Sequence, residues 1–527
     1  MYVINGLQDQ TTLYIWKNTI HLLGVDQYRL VDLCKQYVSV INSVGNPMTS
    51  SQPVFLLITK YMLFLLDWIF LPLSALITIF LTLLSSYILF KKYRYWYIYA
   101  AIFSSCSYFW IKFGIHQELM QVWLFVLFIL SLLAILFDSR RYFRNYVALT
   151  ALLILSTLIS NYLGFVMLVT CLAVIVSYFL FLKFKDRLGL VKLRNLLVCL
   201  VSAIAIIVMS IFPYIRAAFF TTEENVPSIG YYARPYEDFV TFSLRPWYFF
   251  TPSPKNPIYG EFSKNITAKI ESTGYFLADD YFPAEHSAAF FGYLFLITFA
   301  GCLIYGYKKL DTEIKQKVNV LLLTTILLIS FTMPPFFTIA GWKIYTPGHL
   351  IATFFPMFRV TARFSPMILL LMLLIMAEII NVIHVNKPKF FKYFMPILLV
   401  VTLAETFVPF KITKYDKVPD PYLYMGAQQP MTIKYLVYPY SKSNESLFWL
   451  PDHKQCLMNV RGYRFTNISA EELTLKIFEP GMIDTGKELG VTHILFYEPE
   501  KYSEQISTLN MLEEVQVFSD ATLYKIN

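Results

Sequence analysis

Apolar runs of about twenty residues recur along the chain, and the polar gaps between them alternate in charge. Every second gap carries a basic cluster: Lys91-Lys92-Arg94, Arg140-Arg141-Arg144, residues 183–194, residues 308–317, and Lys387-Lys389-Lys392. The gaps between those clusters carry almost no Lys or Arg. A run of about twenty apolar residues spans a bilayer as a helix. Lipid permits little else, because it cannot satisfy open backbone N–H and C=O groups. The pattern predicts about ten transmembrane helices. They fall near 70–90, 94–112, 117–137, 145–160, 162–183, 195–215, 288–307, 318–336, 364–386 and 393–410. Basic residues stay on the cytoplasmic side. The alternation therefore places residues 1–52, 216–286 and 411–527 together outside the cytoplasm, and the chemistry is sought in those three segments.

Residues 1–69 read as an outside first loop. Within it, the apolar stretch 53–70 holds Lys60 and Asp67. Charges are costly at a bilayer centre, so this stretch is expected to lie along the membrane as an interfacial helix. Residues 1–20 lack the basic start and apolar core of a signal peptide. With residue 1 outside, the expectation is a first helix lying before Met1. Residues 70–410 form the transmembrane core. Its outside loop 216–286 is rich in Pro, Tyr and Phe, and its prolines exclude one continuous helix. Past residue 411 the apolar runs shorten. Residues 446–450, 492–497 and 521–524 read as strands, and helical patterns sit near 469–478 and 501–515. The fold class is thus an α-helical polytopic membrane protein with a small C-terminal extracytoplasmic α/β domain.

Composition agrees: 57% of the 527 residues are hydrophobic and 15% charged, which excludes an ordinary soluble globular protein. Topology accounts for much of the Lys and Arg behind the net charge of +9, and no basic-aromatic face for nucleic acid is present. Four of the six cysteines lie in apolar runs and read as small core residues. Cys34 and Cys456 both fall outside, where a disulfide is chemically allowed, though sequence alone cannot bring them within bonding distance.

Few ionisable residues sit near the outside ends of the helices. Asp9, in Gly6-Leu7-Gln8-Asp9-Gln10, is placed to act as a general base or as a helix cap. His116 and Glu118 occupy a very short outside turn, where His exchanges protons near neutral pH and Glu could pair with it, orient an acceptor or take a divalent cation. Two such residues do not specify a metal site. Arg359 and Arg363, four apart, share a face if the segment is helical, and their planar donors suit phosphate oxygens. The acids of the long loop read mostly as solvated, with Glu271 and His286 held as candidates. There is no Gly-rich phosphate loop, zinc spacing or Gly-x-Ser-x-Gly.

Several short stretches together carry a resemblance. They are Gly6-Leu7-Gln8-Asp9 with Tyr14-Ile15-Trp16, Gly114-Ile115-His116, Ser160-Asn161-Tyr162-Leu163-Gly164, residues 250–257 (FTPSPKNP) and residues 354–364 (FFPMFRVTARF). With this topology they resemble the GT-C superfamily of polytopic glycosyltransferases, in particular the YfhO-like and ArnT-like bacterial membrane proteins. The resemblance implies a first outside loop with a catalytic acid, here Asp9, and a second outside loop holding His116 and Glu118. It implies a polyprenyl-phosphate sugar donor, a glycan or lipid acceptor in the cell envelope, and transfer on the extracytoplasmic face of the inner membrane. Arg359 and Arg363 would hold the lipid phosphate. Many relatives carry a pair of acids in the first loop and Asp in the second, where this chain has one Asp and a His/Glu turn. A lipid-linked sugar flippase and a non-catalytic scaffold for envelope assembly are the alternatives.

Overall fold

The computed structural model describes residues 2–5, 70–112, 118–137, 142–181, 187–210, 212, 236–272, 284–339, 342–355, 358–409, 411–414, 418–429, 432–443, 446, 453, 455–459, 468 and 470–527. Two compact units emerge: Pro72–Thr221 with Ser228–Phe410, and a second that contains Lys411–Asn527 and the N-terminal residues. The interfacial helix expected at 53–70 lies almost entirely outside the described residues.

The first unit is helical. In order its helices are α1 (Phe70–Phe90), α2 (Trp96–Ser104), α3 (Ser107–Lys112), α4 (Trp123–Phe137), α5 (Tyr142–Ile159), α6 (Asn161–Phe181), α7 (Arg187–Ser210), α8 (Tyr236–Phe242), α9 (Gly260–Glu271), α10 (Tyr293–Gly301), α11 (Thr312–Thr332), α12 (Gly348–Phe354), α13 (Ser365–Ile383) and α14 (Pro388–Thr406). Among the described residues, five helical stretches are long and apolar enough to cross a membrane: Asn161–Phe181, Gly189–Ser210, Glu285–Lys309, Thr312–Thr332 and Thr361–Asn386. Shorter apolar helices cover Leu76–Phe90, Trp123–Phe137 and Phe143–Ile159.

The sequence explains which helix is central. From Ser365 to Ile380 every residue of α13 is buried, as a helix that is apolar on all sides requires. By contrast α7 leaves Val198, Val201 and Met209 exposed on its outer surface. The turn between α5 and α6 is a single residue, Ser160. A Cβ on Gly164 would fall 2.0 Å from Thr157 Oγ1 and 2.6 Å from its Cα, so only glycine lets the two helices meet there.

Three expected helices are modified. The 94–112 run is broken at Ser105-Cys106 into α2 and α3. The 288–307 run passes through a π-helical turn, Cys302–Gly306, and then a 3-10 turn, Tyr307–Lys309. The 318–336 run begins six residues earlier, at Thr312 after an N-cap by Asp311, whose carboxylate accepts from Ile314 N at 2.8 Å. The long loop contains α8, a 3-10 turn at Pro246–Phe250 and α9. Its 250–257 stretch is clamped by Asn256, whose side-chain amide donates to the carbonyls of Ala404, Glu405 and Phe407 at the end of α14. Between α11 and α12, strands β2 (Phe336–Ile339) and β3 (Trp342–Tyr345) form an antiparallel hairpin.

In the second unit β1 (Tyr2–Asn5) pairs antiparallel with β4 (Lys411–Lys414). A five-stranded sheet follows, built from β5 (Lys434–Tyr438), β6 (Cys456–Leu457), β7 (His493–Tyr497), β8 (Leu512–Val517) and β9 (Ala521–Ile526) in the order β6-β5-β7-β9-β8. β5 runs parallel to β6 and β7, while β9 is antiparallel to β7 and β8. The short β6 is extended by side chains: Asn459 accepts from Val437 N and donates to Val437 O, and Gln455 accepts from Ile433 N.

The strands expected at 492–497 and 521–524 are β7 and β9. The helix expected over 501–515 ends at Ser507, and its second half is the exposed edge strand β8. Of the strand expected at 446–450, only Ser446 is described, and it is helical. Cys456 is disulfide-bonded, the four other described cysteines are free, and Cys34 lies outside the described residues.

Candidate functional site

Four short elements of the helical unit converge: the C-terminal turn of α3, the N-terminal turn of α6, and the 3-10 helices Ala284–Ala289 and Thr361–Phe364. α3 reads Ser-Tyr-Phe-Trp-Ile-Lys, an apolar turn ending in one cation where the helix dipole favours it. Glu285 stands in the first turn of its 3-10 helix, where the dipole favours an acid. Arg363 is fixed by its neighbours. Thr361 Oγ1 donates to Thr332 O at 2.8 Å, Ser365 Oγ donates to Ala362 O at 2.6 Å, and Phe364 packs edge-on against Phe165.

Glu285 is the hub. Its carboxylate accepts a two-pronged bond from Arg363, Nε to Oε2 at 3.0 Å and Nη2 to Oε1 at 3.1 Å, and is also ion-paired with Lys112 Nζ. The Lys112 side chain is 2% exposed, that of Glu285 18% and that of Arg363 12%. The Arg363 guanidinium also lies 4.0 Å above the Tyr162 ring, a cation–π contact. Two cations on one carboxylate leave an excess of one positive charge in these three residues. Glu118, half-buried, is within Coulombic reach of Lys112 and of the buried Tyr108.

Arg359 is not helical: Phe358–Val360 is irregular and a 3-10 turn follows. The shared helical face expected of Arg359 and Arg363 is therefore absent. Both nevertheless border Tyr162, and Arg359 lies with Cζ 5.0 Å from the Phe242 ring. The segment is held down by Phe358, stacked on Phe165 at 4.0 Å. Arg363 thus already serves a carboxylate, while the guanidinium of Arg359 rests on an aromatic face.

His286 points into protein. It is fully buried, stacks on Tyr248 at 4.3 Å and donates from Nε2 to Ser243 O at 3.0 Å. Arg245 donates to the carbonyls of Ser243 and Val240 beside it. The imidazole thus anchors the 3-10 helix from which Glu285 projects. Glu271 is the last residue of α9; its side chain, and all of Asp9 and His116, lie outside the described residues. Among the described residues no group of three His, Cys, Asp or Glu could hold a metal ion.

A second ion cluster marks the opposite, basic end of the helices. Glu378 of α13 accepts from Tyr93 Oη, pairs with the buried Lys317, and lies 3.8 Å from Lys92. Residues 363 and 378 are fifteen apart, about 22 Å at 1.5 Å per residue. The two clusters therefore lie toward opposite ends of α13, a separation comparable with a hydrocarbon layer about 30 Å thick.

Lys112 and Glu285 were not singled out by the sequence reading. The signal for Lys112 was present: like Arg359 and Arg363 it is a cation at the helix ends that lack basic clusters. Glu285 offered no local signal, because its partners lie 173 and 78 positions away in the chain.

No family model and no curated protein matches the sequence. Solved structures similar to it include ArnT from Cupriavidus metallidurans bound to undecaprenyl phosphate, 12% identical with a TM-score of 0.38, covering 98% of this chain and 96% of that one. The apo state of the same protein is 13% identical with a TM-score of 0.35 at the same coverage. The archaeal oligosaccharyltransferase AglB from Archaeoglobus fulgidus, in complex with an inhibitory peptide and a dolichol-phosphate, is 11% identical with a TM-score of 0.41, covering 95% of this chain and 67% of that one.

Proposed function

We propose that the chain is a GT-C-type membrane glycosyltransferase that moves a sugar from a polyprenyl-phosphate donor to a glycan or lipid acceptor on the extracytoplasmic face of the inner membrane. In this reading about ten helices cross the bilayer and the C-terminal α/β domain lies outside, where a disulfide at Cys456 is chemically at home. The donor is of the same class as the undecaprenyl phosphate and dolichol phosphate named above.

The observation that supports it is the Lys112–Glu285–Arg363 cluster, at the end of the helices away from the basic loops. Its two buried cations are pre-positioned around Glu285, with Glu118 within Coulombic reach of Lys112 and Arg359 beside the same Tyr162 as Arg363. Such a group stabilises negative charge as it develops on a leaving phosphate, at no cost of reorganisation. Asp9 takes the proton of an acceptor hydroxyl, and the acceptor oxygen bonds to the anomeric carbon. The carbon–oxygen bond to phosphate breaks as the new bond forms, and the lipid phosphate departs with the electron pair. Arg359 and Arg363 meet that charge, with Arg363 held in place by Glu285. His116 and Glu118 orient the acceptor. Glu271 is retained as a loop acid, and His286 as the residue that positions Glu285.

In proteoliposomes supplied with a radiolabelled polyprenyl-phosphate sugar, Arg359→Ala is expected to raise the donor KM, and Asp9→Ala to lower kcat with the donor KM held. Transfer at the wild-type rate by Asp9→Ala removes Asp9 from the role. An unchanged donor KM in Arg359→Ala removes Arg359.

A further inference from the structure

We propose that the β2–β3 hairpin is a foot that rests in the outer interface of the bilayer, with one face in the acyl boundary and the other toward water. This does not depend on the transferase reading.

Register and alternation define the two faces. Phe337 lies opposite Ile344, and Ile339 opposite Trp342. Directly opposed residues share a face and alternate residues share a side, so Phe337, Trp342 and Ile344 form one apolar face, with Ile339 at the register position opposite Trp342. The other face carries Phe336, Thr338, Lys343 and Tyr345. There Lys343 Nζ sits 4.9 Å from the Phe336 ring, and Tyr345 meets Phe336 edge-on. The apolar face of β3 is open. Trp342 is 78% exposed and Ile344 50%, and all four residues of β3 are exposed. A lone two-stranded hairpin is marginal in water, and large exposed apolar patches mark interaction sites.

Its position identifies the occupant. From Lys317, the last residue of the basic cluster 308–317, α11 runs on to Thr332, about 22 Å at 1.5 Å per residue, most of a hydrocarbon thickness of about 30 Å. The hairpin starts four residues past the end of α11, so it emerges at the opposite interface rather than out in solvent. It is also fixed there. Thr346 Oγ1 donates to Pro334 O at 2.5 Å and Thr346 N to Pro335 O at 3.0 Å. A Cβ on Gly348 would fall 2.1 Å from Met333 O, so glycine lets the chain return directly onto the helix end. α12 then continues the apolar surface with Leu350 and Phe354, followed by Phe355. Trp and Tyr settle at the headgroup level, and Lys reaches from there to water. The hairpin thus has the chemistry of an interfacial anchor made from strands.

The full-length protein in lipid nanodiscs tests this. Trp342→Cys, Ile344→Cys and Lys343→Cys variants carry a polarity-sensitive fluorophore, with Lys476→Cys, in the exposed turn that follows the helix Ala470–Leu475 of the other unit, as the aqueous reference. The labels at 342 and 344 are expected to emit blue-shifted light. A lipid nitroxide high on the acyl chain should quench them strongly, one near the chain end less, and aqueous iodide scarcely. The label at 343 should follow iodide. Iodide quenching at 342 and 344 equal to the Lys476→Cys reference overturns the proposal. Quenching by neither agent overturns it too, because a protein surface would then cover the face. Loss of the alternation between 343 and its neighbours also contradicts it.

Discussion

At the scale of single residues, the most consequential feature is a lysine buried to 2% exposure with its charge answered by a carboxylate 173 positions later. Removing one member of a buried ion pair costs about 3–5 kcal/mol, because the other is left uncompensated. Glu285→Ala is therefore expected to lower the detergent melting temperature sharply. Lys112→Met/Glu285→Gln should lose less than the sum of its single changes, since neighbours in one network are not additive; additive losses in a thermal melt would contradict the pairing. A second residue-scale prediction concerns acid. Burial, and then the nearby Lys525, hold the His493 imidazole below its usual range. The unfolded chain then binds the proton more readily, so the contribution of His493 is complete above about pH 6.5 and is lost as pH falls through the lower folded value. The protection of β7 amides in the full chain, corrected for the slower intrinsic exchange at lower pH, should fall on acidification across that window, and His493→Gln should flatten the response. Legibility at this scale was partial. Positive charge at the non-basic helix ends was visible at Arg359 and Arg363, and the same logic applied to Lys112. What the sequence could not tell was that Arg363 spends its fork on Glu285, because pairings across many positions are set by tertiary packing.

Among elements, hydropathy and charge alternation predict about ten spans; among the described residues five helical stretches are long and apolar enough to cross a membrane, with ends up to six residues from the expected ones. The internal breaks were not legible. α2 and α3 part at Ser105-Cys106, inside an apolar run, with no Pro or Gly to announce it. In the C-terminal domain β7 and β9 were readable as short apolar runs. β8 was not: Leu512-Glu513-Glu514-Val515 favours helix locally, and it is a strand because it pairs with β9, where its charges and bulge blunt an exposed edge. β5 escaped notice although Tyr435-Leu436-Val437 is a short apolar run of the same kind. Two element-scale predictions follow from close contacts. Asn256→Ala removes the donor to three carbonyls of α14 and leaves buried acceptors unpaired, at about 1–3 kcal/mol; limited proteolysis should then cut the 250–260 stretch faster, and an unchanged rate would contradict the clamp. Gly164→Ala forces a Cβ into the Thr157 backbone, and overpacking of this kind costs about 1–3 kcal/mol; an unaltered melting temperature would show that the α5–α6 corner has room.

For the whole molecule, ion clusters lie toward the two ends of one helix set, one amid basic loops and one away from them. In the proposed topology they mark the outer and the cytoplasmic face, the polarity that the basic alternation leads one to expect. The sequence did not reveal that the outer cluster is organised around Glu285, or that a strand hairpin emerges beside it. The central claim is that the outer cluster serves sugar transfer from an anionic isoprenoid donor. The most direct measurement is release of free polyprenyl phosphate from a radiolabelled polyprenyl-phosphate sugar by purified protein in liposomes, comparing wild type with Arg359→Ala. The account predicts acceptor-dependent release by the wild type and a marked loss in the variant at limiting donor. Scrambling of intact labelled donor between leaflets with no release, or release that Arg359→Ala leaves untouched, would contradict it.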